Sequence, residues 1–295
     1  MKIEKPSFEI IDQQPGIFGM YKQIELAGRT CYKSADKITD ISAKDFVERM
    51  IKNGHLSVLE HGTVYLRIPF YNKMIFDMFN GNPHSIVRVL DRETTMFVTT
   101  NYRVIAENEL GHLLQFMCDY PSGLHERRVT VRFNTQIAIS REFNRHRVNS
   151  ISEQSTRYVN YSKEKFGNEI SINLPSKIDA GAIDENIPQH SVTRYIKSLA
   201  NEEGELWTGI DWWLFANLIC ERAYMELIKR GWKPQEARTI LPLDTSTELV
   251  HTAFVTDWKH FFNLRADGKY GTPHPDAHYL ASELRDEFIK QNFIC

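Results

Sequence analysis

The clearest alternation of apolar and polar positions lies between residues 127 and 134, where Val129, Val131 and Phe133 share one side. A two-residue period of this kind predicts a strand with one buried face. Residues 63–69 alternate less regularly, but they are rich in side chains that favour strands. A second strand is therefore predicted there.

A period of three to four residues predicts helices in four other stretches, over 42–53, about 135–144, 211–230 and about 275–291. In the first helix we expect Ser42 to act as the N-cap and Gly54 to end the helix. A short helix is predicted to begin at Pro234, because proline is favoured at the first helical position. Residues 176–208 are polar and ambiguous, and we interpret them as a loop excursion.

The apolar positions also predict which side of each helix is buried. The inward residues of three helices follow from their spacing. They are Phe46, Val47, Met50 and Ile51 in the first; Trp212, Phe215, Ala216, Ile219, Ala223, Leu227 and Ile228 in the third; and Ala277, Leu280, Ala281, Leu284 and Phe288 in the last.

The order of strands and helices does not alternate regularly, which favours an α+β fold over a doubly wound parallel sheet. We expect a central antiparallel or mixed sheet with flanking helices. The chain of 295 residues is long enough for a substantial core and is interpreted as a single domain, 1–295. The glycine-rich fingerprints of Rossmann and Walker nucleotide sites are absent from the sequence.

Composition narrows the classes of protein. Apolar residues make up 42% and charged residues 25%, with a net charge of −2, so nothing in the overall charge attracts nucleic acid. The four cysteines are far apart, which disfavours a disulfide framework or a zinc site. No apolar run is long enough for a membrane span, and the first residues lack a signal peptide. These features predict a soluble cytoplasmic protein.

Residues 145–158 hold the densest group of candidate functional side chains, with three arginines, a histidine, three serines and a glutamate. Arginine binds phosphate through two parallel donors, and Glu153 can accept from a ribose hydroxyl. The mixture favours a nucleotide over a bare anion. The alternative is a solvated helix face, which is the commoner explanation of an isolated Arg-His-Arg.

The complete pattern resembles the signature of the flavin-dependent thymidylate synthase family. In that signature an Arg-His-Arg is followed seven residues later by serine, as at Arg145, His146, Arg147 and Ser155. Four further segments resemble the same family in the same order, at residues 29–32, 54–61, 233–242 and 261–267.

The resemblance implies the fold of the thymidylate synthase-complementing proteins and reductive methylation of dUMP to dTMP without an enzyme nucleophile. It implies FAD as cofactor, methylenetetrahydrofolate as carbon donor and NADPH as reductant, in a homotetramer with shared active sites. The residues implied to contact the flavin are His55, Ser57, Arg145, His146, Arg147, Glu153 and His260. Those implied to contact the nucleotide are Glu142, Arg145, Glu153, Gln154, Ser155, Thr156, Arg157, Arg238 and Arg265.

Within that set, Arg265 is expected to act beside the uracil ring, where its charge would activate C5. Ser155 is also assigned to the catalytic group, and a positioning role is favoured over a nucleophilic one because the sequence offers it no relay. Cys31 stands where the family has serine or cysteine, so an obligate thiolate is not expected. No metal site is predicted: His274 and His278 have helical spacing, but Pro275 replaces the glutamate of a zincin motif.

Several positions depart from the family pattern. Glu142 replaces a glutamine and is expected to point at the ribose or base, or to be neutralised by Arg141. Thr156 replaces a glycine, and Phe254 and His260 replace two asparagines. Residues from about 68 to 130 have no evident counterpart and are predicted to be an insertion.

Two other functions remain open from the sequence. The first is a flavoprotein of the same fold with an altered substrate, which the departures at Glu142, Phe254 and His260 suggest. The second is a non-enzymatic nucleic-acid-binding protein that uses the arginines with Tyr158 and Tyr161 as stacking surfaces. Bound flavin would argue against the second, and affinity for dUMP would argue against the first.

Overall fold

The computed structural model of the chain describes residues 1–90, 95–179, 181, 183 and 191–295. Their strands are β1 (Lys2–Glu4), β2 (Ser7–Ile11), β3 (Thr63–Ile68), β4 (Ile86–Leu90), β5 (Thr95–Asn101), β6 (Arg128–Gln136), β7 (Ser150–Glu153), β8 (Ser171–Asn173) and β9 (Ser246–Phe254). Their α-helices are α1 (Gly16–Cys31), α2 (Ser42–Lys52), α3 (Lys73–Asn80), α4 (Tyr102–Glu107), α5 (Ile137–Phe143), α6 (Val192–Ala200), α7 (Gly209–Lys229), α8 (Pro234–Ala237), α9 (Val255–Arg265) and α10 (Pro275–Lys290).

A four-stranded antiparallel sheet, in the order β2-β6-β9-β7, forms the centre of the fold. Its two long strands, β6 and β9, pair over nine positions each. The alternation predicted at 127–134 is confirmed, since Val129, Val131 and Phe133 are all buried on the side that α9 and α10 cover. The predicted α+β class, with an antiparallel sheet flanked by helices, is therefore confirmed.

The other face of this sheet is polar and still buried. Gln23 of α1 donates to Thr130 Oγ1 at 2.5 Å, and Thr130 exchanges a 2.8 Å hydrogen bond with Thr252. Both threonines are 1% exposed or less. Polar side chains can be buried here because they bond to one another across the sheet and α1.

A second antiparallel sheet, β3-β5-β4, packs with α1–α4 around its own apolar core. The strand predicted at 63–69 is confirmed as β3, but its first four residues are all buried rather than alternating. Residues 68–130 supply α3, β4, β5 and α4 to this part of the fold. Whether they are an insertion in a single domain stays a prediction.

The helix predictions hold best where the buried face is continuous. The five inward residues predicted for α10 are each 0% exposed. In α2, by contrast, Ile51 is 39% exposed, and Ser42 is not the N-cap. Ser42 is the first helical residue; its hydroxyl accepts from the Thr39 N–H at 2.9 Å and donates to Glu25 Oε2 at 2.8 Å.

The buried side of α7 differs from the prediction. Trp212 and Ala216 are exposed, whereas Leu214 and Leu218 are buried. Trp212 instead packs at the surface against Trp207, with ring centroids 4.6 Å apart. A tryptophan is large enough to bury one edge against a neighbouring ring while the rest meets water, so its helical spacing misled the prediction.

The loop predicted at 176–208 was only partly correct. It contains α6 and a 3-10 turn, Glu203–Leu206, and its residues 180, 182 and 184–190 lie outside the described part of the chain. Among the helices that the structure describes, none combines the length and the apolar character that a membrane span requires.

Candidate active site

The Arg-His-Arg residues lie in the turn between α5 and β7, beside the central sheet. Helix α5 follows β6 directly, and β7 pairs with the other side of β9, so the turn returns the chain across β9. The helix predicted over 135–144 is confirmed in type, although β6 extends through Gln136. This connection places the motif against the end of α9.

Arg265, the last residue of α9, contacts two residues near the end of α5. Its Nη1 forms an ion pair with the Glu142 carboxylate, and its Nη2 donates to the Glu142 carbonyl at 2.7 Å. Its Nε lies 3.3 Å from His146 Nε2. Arg265 is 13% exposed and Glu142 37%. Arg265 therefore neutralises Glu142, in place of Arg141, which was one of the two alternatives that the sequence left open for this residue.

His146 is buried between this pair and the aromatic core. Its ring lies 4.9 Å from the Phe261 ring and 5.9 Å from the His260 ring, centroid to centroid. Burial, together with the charges of Arg265 and His260, lowers the pKa of His146 to about 4. The imidazole is therefore neutral near pH 7, and Nε2 accepts the hydrogen bond from Arg265.

Glu153 is held by donors from the protein itself. Its Oε1 accepts from Ser140 Oγ at 2.7 Å and from Thr247 Oγ1 at 3.2 Å. Its Oε2 accepts from Asn144 Nδ2 at 2.7 Å. These three contacts fix the carboxylate at the end of β7, so a ribose hydroxyl would have to use the lone pairs they leave.

The segment after β7 connects the motif to α1 and to Arg238. The Ser155 N–H donates to the Cys31 carbonyl at 2.8 Å, and Arg238 Nη1 donates to Thr156 Oγ1 at 3.1 Å. Gln154 is buried and donates to the Tyr161 hydroxyl at 3.2 Å. Two segments that were matched separately to the family are thus neighbours of the motif.

Three motif arginines point into solvent. Arg145, Arg147 and Arg157 are exposed. The arginine ion pairs formed within the described residues involve other arginines. The Arg157 guanidinium lies over the Tyr158 ring, 5.6 Å from its centroid. Uncompensated guanidinium groups are available to an anionic ligand.

His55 and Ser57 line a different part of the surface. They border an open cavity of about 460 Å³ with Cys31, Tyr32 and Arg103 among its other lining residues. Arg103 is held by the Glu60 carboxylate at 2.7 Å. Burial raises the pKa of the Cys31 thiol, which agrees with the expectation that no thiolate is required there.

The second histidine of this stretch has a structural role. His61 is 0% exposed, and its ring nitrogens lie 2.9 Å from Thr252 Oγ1 and 2.9 Å from Ser152 Oγ. His61 therefore links the 3-10 helix Leu56–His61 to β9 and β7. Across the described residues, no cluster of side chains has the composition of a metal site.

The structure gathers some of the predicted residues and separates others. Glu142, His146, His260 and Arg265 form one cluster, and Thr156 contacts Arg238. His55 and Ser57 line the 460 Å³ cavity, whereas the motif arginines are not among the residues that line it. The sequence reasoning missed the residues that hold Glu153. Ser140 and Asn144 were detectable in principle, because four-residue spacing puts both on one side of a helix.

Comparison with known proteins identifies the family. The family model described as "Thy1: Thymidylate synthase complementing protein" matches residues 110–291, more than half of the chain. The chain belongs to this family. The match covers α5, the motif turn and α9, so it includes the Glu142–Arg265 pair. The family suggested by the motif residues is therefore confirmed.

One relative of this family member is the flavin-dependent thymidylate synthase of Thermosipho melanesiensis (strain DSM 12029 / CIP 104789 / BI429). It is 28% identical over 140 residues, which are 47% of this chain and 54% of that protein. The match thus spans about half the length of the relative.

Two solved structures, of the UMP/dUMP methylase PolB from Streptomyces cacaoi, also resemble the chain. The complex with 5-Br dUMP has a TM-score of 0.42 at 15% identity and covers 98% of this chain and 93% of that chain. The complex with 5-Br UMP has a TM-score of 0.41 at 14% identity, with 98% and 92% covered.

Proposed function

We propose that the chain is an FAD-dependent enzyme that methylates dUMP to dTMP, with methylenetetrahydrofolate as carbon donor and NADPH as reductant. The observation that carries the proposal is the set of exposed guanidinium groups at Arg145, Arg147 and Arg157, for which the described residues supply no ion-pair partner. They lie on both sides of β7, whose last residue is Glu153, in a member of the thymidylate synthase-complementing family. The relative from Thermosipho melanesiensis, matched over 54% of its length, is named a flavin-dependent thymidylate synthase.

The nucleotide phosphate would be held by Arg145 and Arg157. Each guanidinium can offer two parallel donors to a phosphate group, and neither has a carboxylate partner to displace within the described chain. Glu153, Gln154, Ser155 and Thr156 would then contact the sugar and base, with Arg238 held in place by its bond to Thr156. The main-chain bond from Ser155 to Cys31 keeps this segment against α1.

The residues around the 460 Å³ cavity carry chemical groups that suit a flavin. His55, Ser57 and Tyr32 offer hydrogen-bond groups and an aromatic surface around an open cavity, and Arg147 and His260 are exposed on the motif side. These residues and Arg145, His146 and Glu153 would hold FAD. When bound, FAD would relay the electrons that convert the transferred methylene group to a methyl group.

Arg265 would act on the base. A guanidinium beside a uracil ring stabilises negative charge on its N3 and O2 edge, and that charge increases the reactivity of C5. His146 supports this arrangement, because its neutral ring accepts from Arg265 Nε without adding a competing charge. The chain supplies orientation and charge, and no nucleophile is required.

Ser155 fits a positioning role in this scheme. Its hydroxyl accepts from the Arg157 N–H at 3.3 Å, and in the described structure no histidine or carboxylate bonds to it. A serine nucleophile needs such a base. A catalytic contribution of Ser155 would therefore come from its contact with the substrate.

A second candidate is a flavoprotein of the same fold that acts on a different substrate. The ion pair between Glu142 and Arg265 favours it, because the arginine proposed to act on uracil is already occupied by a carboxylate. We also infer a homotetramer with shared sites. The position of Arg145 and Arg147 outside the lining of the cavity that His55 and Ser57 border supports it.

The test is a spectrum of the purified protein followed by an anaerobic titration of the NADPH-reduced form. A flavin spectrum, with reoxidation and dTMP formation only when dUMP and methylenetetrahydrofolate are both present, is expected. Bound flavin without affinity for dUMP would replace this proposal with the altered-substrate flavoprotein. A protein that cannot be loaded with FAD would contradict both.

A further inference from the structure

Most of the hydrogen-bonding capacity of Arg265 is used within the chain. A guanidinium has five N–H donors. In Arg265, Nε donates to His146, Nη1 to the Glu142 carboxylate and Nη2 to the Glu142 carbonyl. About two N–H groups therefore remain for any ligand. Arg265, which is expected to act on a substrate, therefore already makes three hydrogen bonds within the chain.

Glu142 makes the larger share of these contacts, from both its side chain and its main chain. The main-chain carbonyl would hold Arg265 whatever residue stood at position 142. The carboxylate adds a negative charge, which directly offsets the charge of the guanidinium. Arg265 is 13% exposed, so water screens the pair only in part. A neutral amide at 142 would preserve the shape of the contact and remove that offset.

The charge matters because the ligand competes for the same donor. A carbonyl oxygen of a nucleotide base is a neutral acceptor and forms a weaker hydrogen bond to guanidinium than a carboxylate does. The Glu142 Oε2 atom now accepts the hydrogen bond from Arg265 Nη1. To accept that bond instead, the base would have to displace this oxygen. The Glu142 carboxylate would also repel a nucleotide phosphate nearby.

We propose that Glu142 is a positioning residue that restrains Arg265 and competes with the base of the substrate for its guanidinium. This inference rests on the proposed function for the identity of the substrate. The pair orders Arg265 before binding and weakens the binding itself. Exchanging the carboxylate for an amide therefore releases Arg265 to the ligand.

The experiment compares the FAD-loaded wild type with Glu142→Gln. The matched control is Glu126→Gln, which removes a carboxylate that pairs with Arg88 at 2.9 Å, among residues not assigned to the site. We expect the dUMP dissociation constant, measured by calorimetry, to fall about fivefold in Glu142→Gln, the size of a partly exposed ion pair. The control variant should match the wild type. In turnover, KM for dUMP should fall as well.

A second readout does not depend on the substrate. A dicarbonyl reagent modifies free guanidinium groups, and peptide mapping by mass spectrometry reports the rate at each arginine. Modification of Arg265 should be several-fold faster in Glu142→Gln than in the wild type, with the rate at the exposed Arg157 unchanged. Equal rates at Arg265, or weaker dUMP binding in Glu142→Gln, would overturn the inference.

The two readouts separate this inference from the proposed function. If the wild type binds no dUMP and forms no dTMP, the proposed function fails. The modification rates then still decide whether Glu142 restrains Arg265, because they need no nucleotide. If the wild type forms dTMP but neither readout changes in Glu142→Gln, the inference alone fails.

Discussion

Arg265 connects the two helices that border the motif, and its proposed role differs from that of a structural ion pair. It contacts His146 and Glu142, and it is the arginine of the cluster formed by Glu142, His146, His260 and Arg265. Under the proposed function the reaction depends on this guanidinium, so its removal should lower turnover more than stability.

We predict that Arg265→Ala retains bound flavin and loses dUMP turnover. Loss of one positioned charge in an active site costs about 3 kcal/mol, or roughly a hundredfold to a thousandfold in rate. The measurement is kcat for dTMP formation beside the flavin absorbance of the same preparation. Arg88→Ala, which breaks an ion pair away from the site, is the control and should leave kcat unchanged. Full turnover by Arg265→Ala would contradict its role.

The residue scale also shows the limit of the sequence. The motif residues were identifiable because they lie within a few positions of one another. The partner of Glu142 was not, since Arg265 is 123 positions away and the nearby Arg141 offered a local alternative. Pairing across that separation is decided by where α5 and α9 end on the sheet, and side-chain spacing within either helix does not contain that information.

Among the elements, α10 and α7 show when a periodic pattern identifies the buried face. Helix α10 packs one apolar side on the central sheet and α9, so its spacing alone was sufficient. Helix α7 contacts smaller apolar groups on more than one side, and its half-buried residues follow no single face. The prediction failed where burial is shared among several neighbours.

Leu284→Ala should destabilise the protein by roughly 2 to 5 kcal/mol, the usual cost of a cavity in a close-packed core. Leu284 is 0% exposed, in the cluster that includes Phe261, the ring neighbour of His146. Urea unfolding measures the change. Glu283→Ala, on the exposed side of the same helix, should shift stability by no more than about 0.5 kcal/mol. If Leu284→Ala lowered the free energy of unfolding by no more than about 0.5 kcal/mol, the packing of α10 would not stabilise the core beside His146.

At the scale of the whole molecule, the sequence predicted an antiparallel sheet with helices against it. It did not reveal that histidines are buried against this sheet, one of them on its polar face. His61 is 0% exposed on that face, and His251 of β9 is 0% exposed on the opposite, apolar face, where its ring lies 5.8 Å from that of Phe133. Neither residue carries a local signal of burial, because histidine is compatible with the surface as well as the core. The position of His61 follows from the hydrogen bonds that Thr252 and Ser152 offer once the sheet and α1 have come together, and that of His251 from its packing among the rings of Phe133, Trp258 and Phe261.

These buried histidines should make the stability of the whole molecule depend on pH. Burial lowers the pKa of His61 and of His251 from 6.5 to about 3, and that of His146 to about 4. The folded state therefore binds fewer protons than the unfolded state once the pH falls below 6.5. The stability that the neutral rings contribute is complete above that pH and is lost as the pH falls toward about 4 and then about 3. Each ring should contribute about 1.4 kcal/mol of lost stability between pH 7.5 and 5.5.

The measurement is the free energy of unfolding in urea at pH 7.5 and pH 5.5, in the wild type, His61→Gln and His112→Gln. Because the His61 ring alone should account for about 1.4 kcal/mol of the difference between the two pH values, His61→Gln should reduce that difference by about this amount, even if it lowers stability at both. His112 lies exposed, away from the sheet, so His112→Gln should preserve the wild-type difference. An undiminished difference in His61→Gln would show that the ring takes up its proton within the folded protein. In that case the hydrogen bonds from Ser152 and Thr252 would have to rearrange at acid pH, and the polar face of the sheet would be less rigid than its burial indicates.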